Sequence, residues 1–300
     1  MNPIQALFLG ILQGATEFLP VSSSGHLVLV PWLLGWPAPD LAFDALVHGG
    51  TALAIVVYFW RDWVALIRAA LRSLLVLVRP RVCRAQADES VSDPQAVPIR
   101  KSCASVLWAQ VEARLAWLII LGTVPAALAG WLLEGFFEGL FARPVAAAAF
   151  LLVTAALLTA SERFGRRERG LDTLTWRDAL LVGLAQALAI LPGLSRSGAT
   201  IAAGLARGLK REQAARFSFL LATPIIVGAG LLKLVDLAQV GGLAAQAPAL
   251  VAGFLAAGLV GFGCIHFLLR YLQRRRLYPF AVYCAVAGLV CLLVALVRGL

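Results

Sequence analysis

Two short stretches of this chain carry polar and ionisable side chains inside otherwise apolar surroundings. Gln13 and Glu17 stand four residues apart, on one face of any helix that contains them, and Ser22, Ser23, Ser24, Gly25 and His26 follow directly after Pro20. Much further along, Pro192-Gly193 leads into Ser195-Arg196-Ser197-Gly198-Ala199-Thr200. The second stretch has the parts of a phosphate cradle. Arg196 offers a two-pronged guanidinium, Ser195, Ser197 and Thr200 offer hydroxyls, and Gly193 and Gly198 let backbone amides approach an anion. In the first stretch a serine hydroxyl near His26 and Glu17 has the parts of an activated nucleophile or of a base that activates water. Gln13 and Glu17 could instead share a divalent cation that keeps most of its coordination from water and phosphate. Residue types alone leave these readings open.

The elements that must hold these groups are set by lipid. Of 300 residues, 61% are hydrophobic and 14% are charged, against about 45–50% apolar in an ordinary globular chain. That excess excludes a disordered chain, a secreted disulfide scaffold and a typical cytosolic enzyme. Windows of roughly 20 apolar residues, the length a bilayer core requires, occur at 41–60, 115–133, 144–160, 214–235, 249–269 and 279–297. Residues 63–78, with Arg68 and Arg72 on one face, suit either a short span or an interfacial helix with snorkelling arginines. Phe18–Pro39 and Ala179–Leu205 are apolar too, yet Pro20, Pro31 and Pro192 with their neighbouring serines and glycines forbid a continuous helix. Broken backbone at membrane depth survives only where protein or a water-filled cavity satisfies it. Both stretches are therefore expected to be re-entrant pairs of half-helices. Glu17 and Arg196 sit in them at an insertion cost of at least about 2.5–3.5 kcal/mol, which marks a functional site.

The 26 Lys and Arg against 16 Asp and Glu give a net charge of +10. The basic residues gather between the apolar windows: nine in 61–114, five in 161–177, four in 207–216 and four in 270–276, but one in 134–143 and none in 236–248. This is a positive-inside pattern, with the rich loops cytoplasmic, and it replaces nucleic acid as the reason for the charge. The five cysteines form no CxxC pair, so neither a zinc site nor a disulfide framework is indicated. The polar segment 79–114 reads as a cytoplasmic loop, and Gly10-x-x-x-Gly14 and Gly204-x-x-x-Gly208 read as close helix contacts.

The chain also matches itself. Gly10 aligns with Gly183, Gln13 with Gln186, Ser22 with Ser195, Ser24 with Ser197 and Gly25 with Gly198. The charge rule brings the second broken segment in from the cytoplasm and the first from the opposite face. The expected fold is an all-α integral membrane protein with two re-entrant helix pairs, about six or more spans and an inverted-topology repeat. It forms one membrane domain over 1–300, with one half at about 1–160 and the other at about 177–300. Half-helix N-termini converging from opposite faces suit an anion. They also suit a transporter or lipid translocase with a midplane anion site, which is the alternative reading.

The string from Gln13 to His26 and the string Leu191-Pro-Gly-Leu-Ser-Arg-Ser-Gly-Ala-Thr200 resemble the two signature regions of the undecaprenyl-diphosphatase (bacitracin-resistance) family. The likeness runs over most of the chain, including Phe43-Asp44 and Phe217-Ser218-Phe219, and is weakest at 79–114. It implies an enzyme in the bacterial cytoplasmic (inner) membrane that hydrolyses undecaprenyl diphosphate to undecaprenyl phosphate and inorganic phosphate. Such activity recycles the lipid carrier of cell-wall synthesis and confers bacitracin resistance. The resemblance further implies a site facing the periplasm and a catalytic set of Glu17, Ser23, His26 and Arg196. It adds a divalent cation, Mg2+ expected and Ca2+ admitted, near Gln13 and Glu17. Gln13 stands where the family often has Glu, which weakens a two-carboxylate metal site. The partners expected are the polyprenyl diphosphate, membrane lipids and no nucleic acid, with a homodimer left open.

Overall fold

The computed structural model describes residues 2–78, 111–141, 143–239 and 243–299. Helix α1 (Pro3–Phe18) opens on Asn2, whose side chain accepts the Gln5 amide at 2.8 Å, with Pro3 in the first turn where no N–H is needed. It stops there because Pro20 disfavours helical backbone at Leu19, which is extended at φ −65° and ψ 143°. The next helix, α2 (Ser23–Leu34), is capped by the Ser22 hydroxyl, which accepts the Gly25 amide at 3.3 Å, and ends on left-handed Gly35. Asp40 caps α3 (Leu41–Tyr58), and α4 (Trp60–Val78) follows after Phe59. Then come α5 (Val111–Leu132), α6 (Glu134–Phe141), α7 (Pro144–Phe164), α8 (Trp176–Leu188), α9 (Arg196–Ala206), α10 (Arg211–Gln239), α11 (Leu243–Arg274) and α12 (Tyr278–Val297). A capping box between Thr175 and Asp178 starts α8, and the Ser195 hydroxyl, accepting from Gly198 N at 3.0 Å, starts α9.

Among the described residues, six stretches are long and apolar enough to cross a membrane: α3, α5, α7, Arg211–Leu232 of α10, Ala247–Arg274 of α11, and α12. Their outer faces expose large aliphatics such as Leu259 (75%) and Leu296 (73%), a surface that suits lipid. The protein is a multi-pass membrane protein. Each expected window coincides with a helix, five of these helices starting earlier or ending later, while 41–60 is interrupted at Phe59, where α3 gives way to α4. Helix α4, carrying Arg61, Asp62, Arg68 and Arg72, is not among the six, so residues 63–78 lack the apolar length of a span. The expected loop 79–114 needs one correction. Residues 111–114 form the first turn of α5, where Glu112 favours the positive helix end and Arg114 donates to the Asp172 carbonyl. Residues 79–110 lie outside the described part.

Small residues set how closely the helices approach. A methyl on Gly10 would lie 2.5 Å from the Gly253 carbonyl oxygen, and one on Gly14 2.6 Å from that of Ala257, so α1 rests directly on α11. In the same way Gly183 seats α8 on α5, 2.2 Å from the Gly122 oxygen. The other expected contact pair divides. Gly204 packs on Ala214, but Gly208 has φ 84° and turns the chain out of α9.

The arginine-rich end of the bundle is tied by buried carboxylates. Glu162 at the end of α7 accepts a fork from Arg211 at 2.8 Å on both arms and the Leu277 amide at 2.9 Å, and Arg167 Nη2 lies at ion-pair distance, 3.1 Å. Asp178 accepts from Arg169 at 2.8 Å and from Arg207. These links join α7, α10, α12, α8 and α9 into one polar base beneath the apolar spans.

Candidate active site

Both helix breaks end on helix N-termini that meet. At the first, Ser22 takes left-handed backbone, φ 73° and ψ 97°, between α1 and α2. A non-glycine residue there is strained, and such strain gathers at functional turns. At the second, Gly193 has φ 92°, and a methyl on it would fall 2.0 Å from the Ala147 carbonyl oxygen of α7. Thr154 of α7 pins this turn, donating to the Gly193 carbonyl at 3.1 Å and accepting the Ser195 amide at 3.0 Å. The turns touch: Gly193 N donates to Ser24 Oγ at 3.5 Å, and Ser197 Oγ to the Leu19 carbonyl at 3.1 Å. Gly193→Ala is therefore expected to lower the melting temperature sharply and to abolish any activity of the site. The clash is with backbone, and the φ is hostile to a side chain, a combined cost of at least about 1–3 kcal/mol. Thermal unfolding in detergent checks this; a melting temperature equal to the parent's would show that the two turns do not need their close contact.

Glu17 is the centre of the arrangement. Its Oε1 accepts from Arg196 Nη2 at 2.8 Å, and its Oε2 accepts from Gln13 Nε2 at 3.0 Å and from Ser23 Oγ. The pair is nearly enclosed, with 18% of the Arg196 side chain and 7% of that of Glu17 exposed. One carboxylate at the end of α1 thus holds both the serine that opens α2 and the arginine that opens α9. The positive ends of those two helices face it, and charges developing in such a dry site are weakly screened.

The remaining expected residues fall into two groups. Ser195 caps α9 and lies 3.2 Å from Ser197 Oγ, and Thr200 Oγ1 donates to the Arg196 carbonyl at 2.7 Å and pairs with Ser218 Oγ at 2.6 Å. These hydroxyls, with that of Ser197, are committed to building the turn and first turn of α9 around Arg196. His26 is likewise engaged elsewhere than the serine: Nδ1 meets the Ser22 carbonyl at 2.7 Å and Nε2 the Tyr283 hydroxyl at 2.7 Å. Glu17, rather than His26, holds the Ser23 hydroxyl. From α3, His48 stands within electrostatic reach of Glu17, with its Nδ1 hydrogen-bonded to the Asp44 carbonyl at 2.8 Å.

For a cation, the donor set is sparse but not hostile. Among the described residues no group of three His, Cys, Asp or Glu side chains could hold a metal. Gln13 Oε1, however, is a buried oxygen without a hydrogen-bond partner beside the Glu17 carboxylate. It is the Gln13 amide nitrogen that faces Glu17 here, so a hard divalent ion held by the two residues would need the amide turned over, its other ligands coming from water and a diphosphate.

This geometry agrees with the likeness the two strings carry. A family model described as bacitracin resistance protein BacA matches residues 6–290. The chain belongs to this family. It is 44% identical to an undecaprenyl-diphosphatase of Thermomicrobium roseum over 98% of each chain. It is 43% identical to one of Pelotomaculum thermopropionicum, over 99% of this chain and 98% of the relative. An undecaprenyl-diphosphatase of Methanosphaera stadtmanae is 41% identical over 99% of both. The BacA match spans both helix breaks and the part of α12 that carries Tyr283. Sequence reading passed over Tyr283 because it lies in the apolar run 279–297, 257 residues from His26, where a tyrosine reads as part of a span.

Proposed function

We propose that this protein hydrolyses undecaprenyl diphosphate to undecaprenyl phosphate and inorganic phosphate, and so returns the lipid carrier to cell-wall synthesis. The observation that carries the reading is the sharing of Glu17 between Ser23 and Arg196, a nucleophile, its base and an anion-binding cation assembled on one carboxylate. Whole-length likeness to named undecaprenyl-diphosphatases supplies the substrate.

In the proposed reaction Ser23 Oγ attacks the terminal phosphorus and its proton passes to Glu17. The Ser23–phosphorus bond forms as the anhydride bond breaks, and undecaprenyl phosphate leaves. Water then cleaves the phosphoserine and releases inorganic phosphate. Arg196 turns its guanidinium from Glu17 toward the phosphoryl oxygens, where charge accumulates, helped by the N-termini of α2 and α9. Ser195, Ser197 and Thr200 hold the backbone around Arg196 that receives the phosphate. Gln13 and Glu17 would hold a divalent cation, Mg2+ or Ca2+, whose charge would offset that of the diphosphate.

Two further parts of the reading rest on pattern. Helix α1 packs on α11 and α8 on α5 through glycines, Gly10 and Gly183, that align in the two halves, which supports an inverted repeat of halves at about 1–160 and 177–300. The arginine-rich base at Glu162 and Asp178 supports a cytoplasmic position for that end. The site would then open to the periplasm from the inner membrane. The whole-length likeness to undecaprenyl-diphosphatases gives no support to the transporter alternative.

The test is direct. Purified protein in detergent, given undecaprenyl diphosphate and Mg2+, is expected to release inorganic phosphate, and EDTA is expected to stop it. Absence of release from well-folded protein across Mg2+ and Ca2+ concentrations would reject the hydrolase reading.

A further inference from the structure

We infer that Tyr283 is a positioning residue for His26: the Ser22 carbonyl sets which ring nitrogen carries the proton, and the phenol fixes where the other nitrogen points and keeps its lone pair partnered. The inference rests on the proposed hydrolase reading and adds to it a part in turnover for His26, which the resemblance places in the catalytic set. The hydrogen-bond pattern allows one assignment for the neutral ring. His26 Nδ1 lies 2.7 Å from the Ser22 carbonyl oxygen, which can only accept, so Nδ1 carries the hydrogen and donates. The lone pair is then on Nε2, and the Tyr283 hydroxyl at 2.7 Å must donate to it.

Each partner is fixed by a different part of the fold. The Ser22 carbonyl is aimed by the left-handed backbone between α1 and α2, while Tyr283 comes from α12 with its ring 10° from parallel to the imidazole and 5.6 Å away between centroids. The neighbouring Cys284 Sγ donates to the Pro20 carbonyl at 3.7 Å, so one turn of α12 steadies both the break and the histidine after it. His26 is 5% exposed, and without the phenol its Nε2 would face a site with little water. Tyr283 is 47% exposed, so its hydroxyl stands at the margin of the packed core. If Nε2 gains a proton during turnover, the bond reverses with no movement of heavy atoms: Nε2–H donates and the phenol oxygen accepts. A phenol serves both protonation states, which an amide or carbonyl partner cannot do with one atom.

Tyr283→Phe keeps the ring and removes the oxygen. Its kcat for phosphate release is expected to fall by about tenfold or more, the scale of one lost hydrogen bond at a working group, with KM for undecaprenyl diphosphate within about twofold. In protein labelled with 15N-histidine, wild type and Tyr283→Phe are both expected to show His26 as the neutral Nδ1–H tautomer, because the Ser22 carbonyl is kept, but the Nε2 resonance of Tyr283→Phe is expected to move toward that of an unbonded imidazole nitrogen, the signal being assigned by its loss in His26→Gln. Because Tyr283 acts through His26, the double variant His26→Gln/Tyr283→Phe is expected to be no slower than His26→Gln alone. Unchanged kcat in Tyr283→Phe, an unchanged Nε2 resonance, or multiplying losses in the double variant would each overturn the inference. Full turnover by His26→Gln would remove His26 from the chemistry and the positioning role with it. The nitrogen signal needs no substrate, so a wild type that releases no phosphate rejects the hydrolase reading separately from the Tyr283 contact.

Discussion

Arg196→Ala is expected to lose at least about 10²–10³-fold in turnover, the scale seen when one preorganised donor to a developing oxyanion is removed. Two effects combine in the same direction. The diphosphate loses the guanidinium that offsets its charge, and Glu17, buried in the bundle, loses the partner 2.8 Å away. Breaking one side of a buried ion pair costs about 3–5 kcal/mol, so stability falls as well as activity. Adding Glu17→Gln to Arg196→Ala tests the stability effect by itself, since Glu17→Gln alone is also expected to slow turnover. The double variant is expected to regain melting temperature, because no unpaired charge is left, without regaining phosphate release. Arg196→Lys is expected to recover part of the activity, since an ammonium supplies charge but not the planar fork. Phosphate release by Arg196→Ala within about tenfold of wild type would mean that the arginine serves only to neutralise Glu17.

The second large effect falls on the serine and its base. Ser23→Ala and Glu17→Gln are each expected to lower kcat by about 10²–10⁴-fold, the range for a positioned proton acceptor. They are expected to differ in what they trap. Wild type quenched in acid after mixing with substrate labelled in the terminal phosphate should carry label on Ser23. Ser23→Ala should carry none, and Glu17→Gln should acquire it slowly. Near-normal turnover by Ser23→Ala with no labelled protein in wild type would move the nucleophile to water, with Glu17 as its base. The contact between Ser23 Oγ and Glu17 Oε2 argues for the serine, because its hydrogen is already directed at the carboxylate and a lone pair is left for phosphorus.

The membrane thickness and local backbone chemistry act residue by residue, so their consequences are legible along the chain. The apolar windows become α3, α5, α7, α10, α11 and α12 because a span must satisfy its own backbone in lipid. The breaks after Phe18 and after Leu188 follow from Pro20 and from Pro192-Gly193, local constraints that need no partner. The residues of the central cluster were legible for the same reason, since Glu17 and Arg196 are too costly in an apolar segment to be incidental.

Which of these residues touch was a matter for the tertiary fold alone. That Ser23 turns to Glu17 and not to His26, three positions along its own helix, depends on a left-handed Ser22 carbonyl and a tyrosine from α12 that together occupy the imidazole. That Arg196 reaches Glu17 depends on Gly193 lying against Ala147 and on Thr154 pinning the turn from α7. The pairing of Glu162 with Arg211 and of Asp178 with Arg169 likewise crosses between helices whose order in space no local signal encodes. Hydrophobic length and proline strain are properties of a segment, whereas a hydrogen bond between distant residues depends on how closely small side chains let whole helices approach.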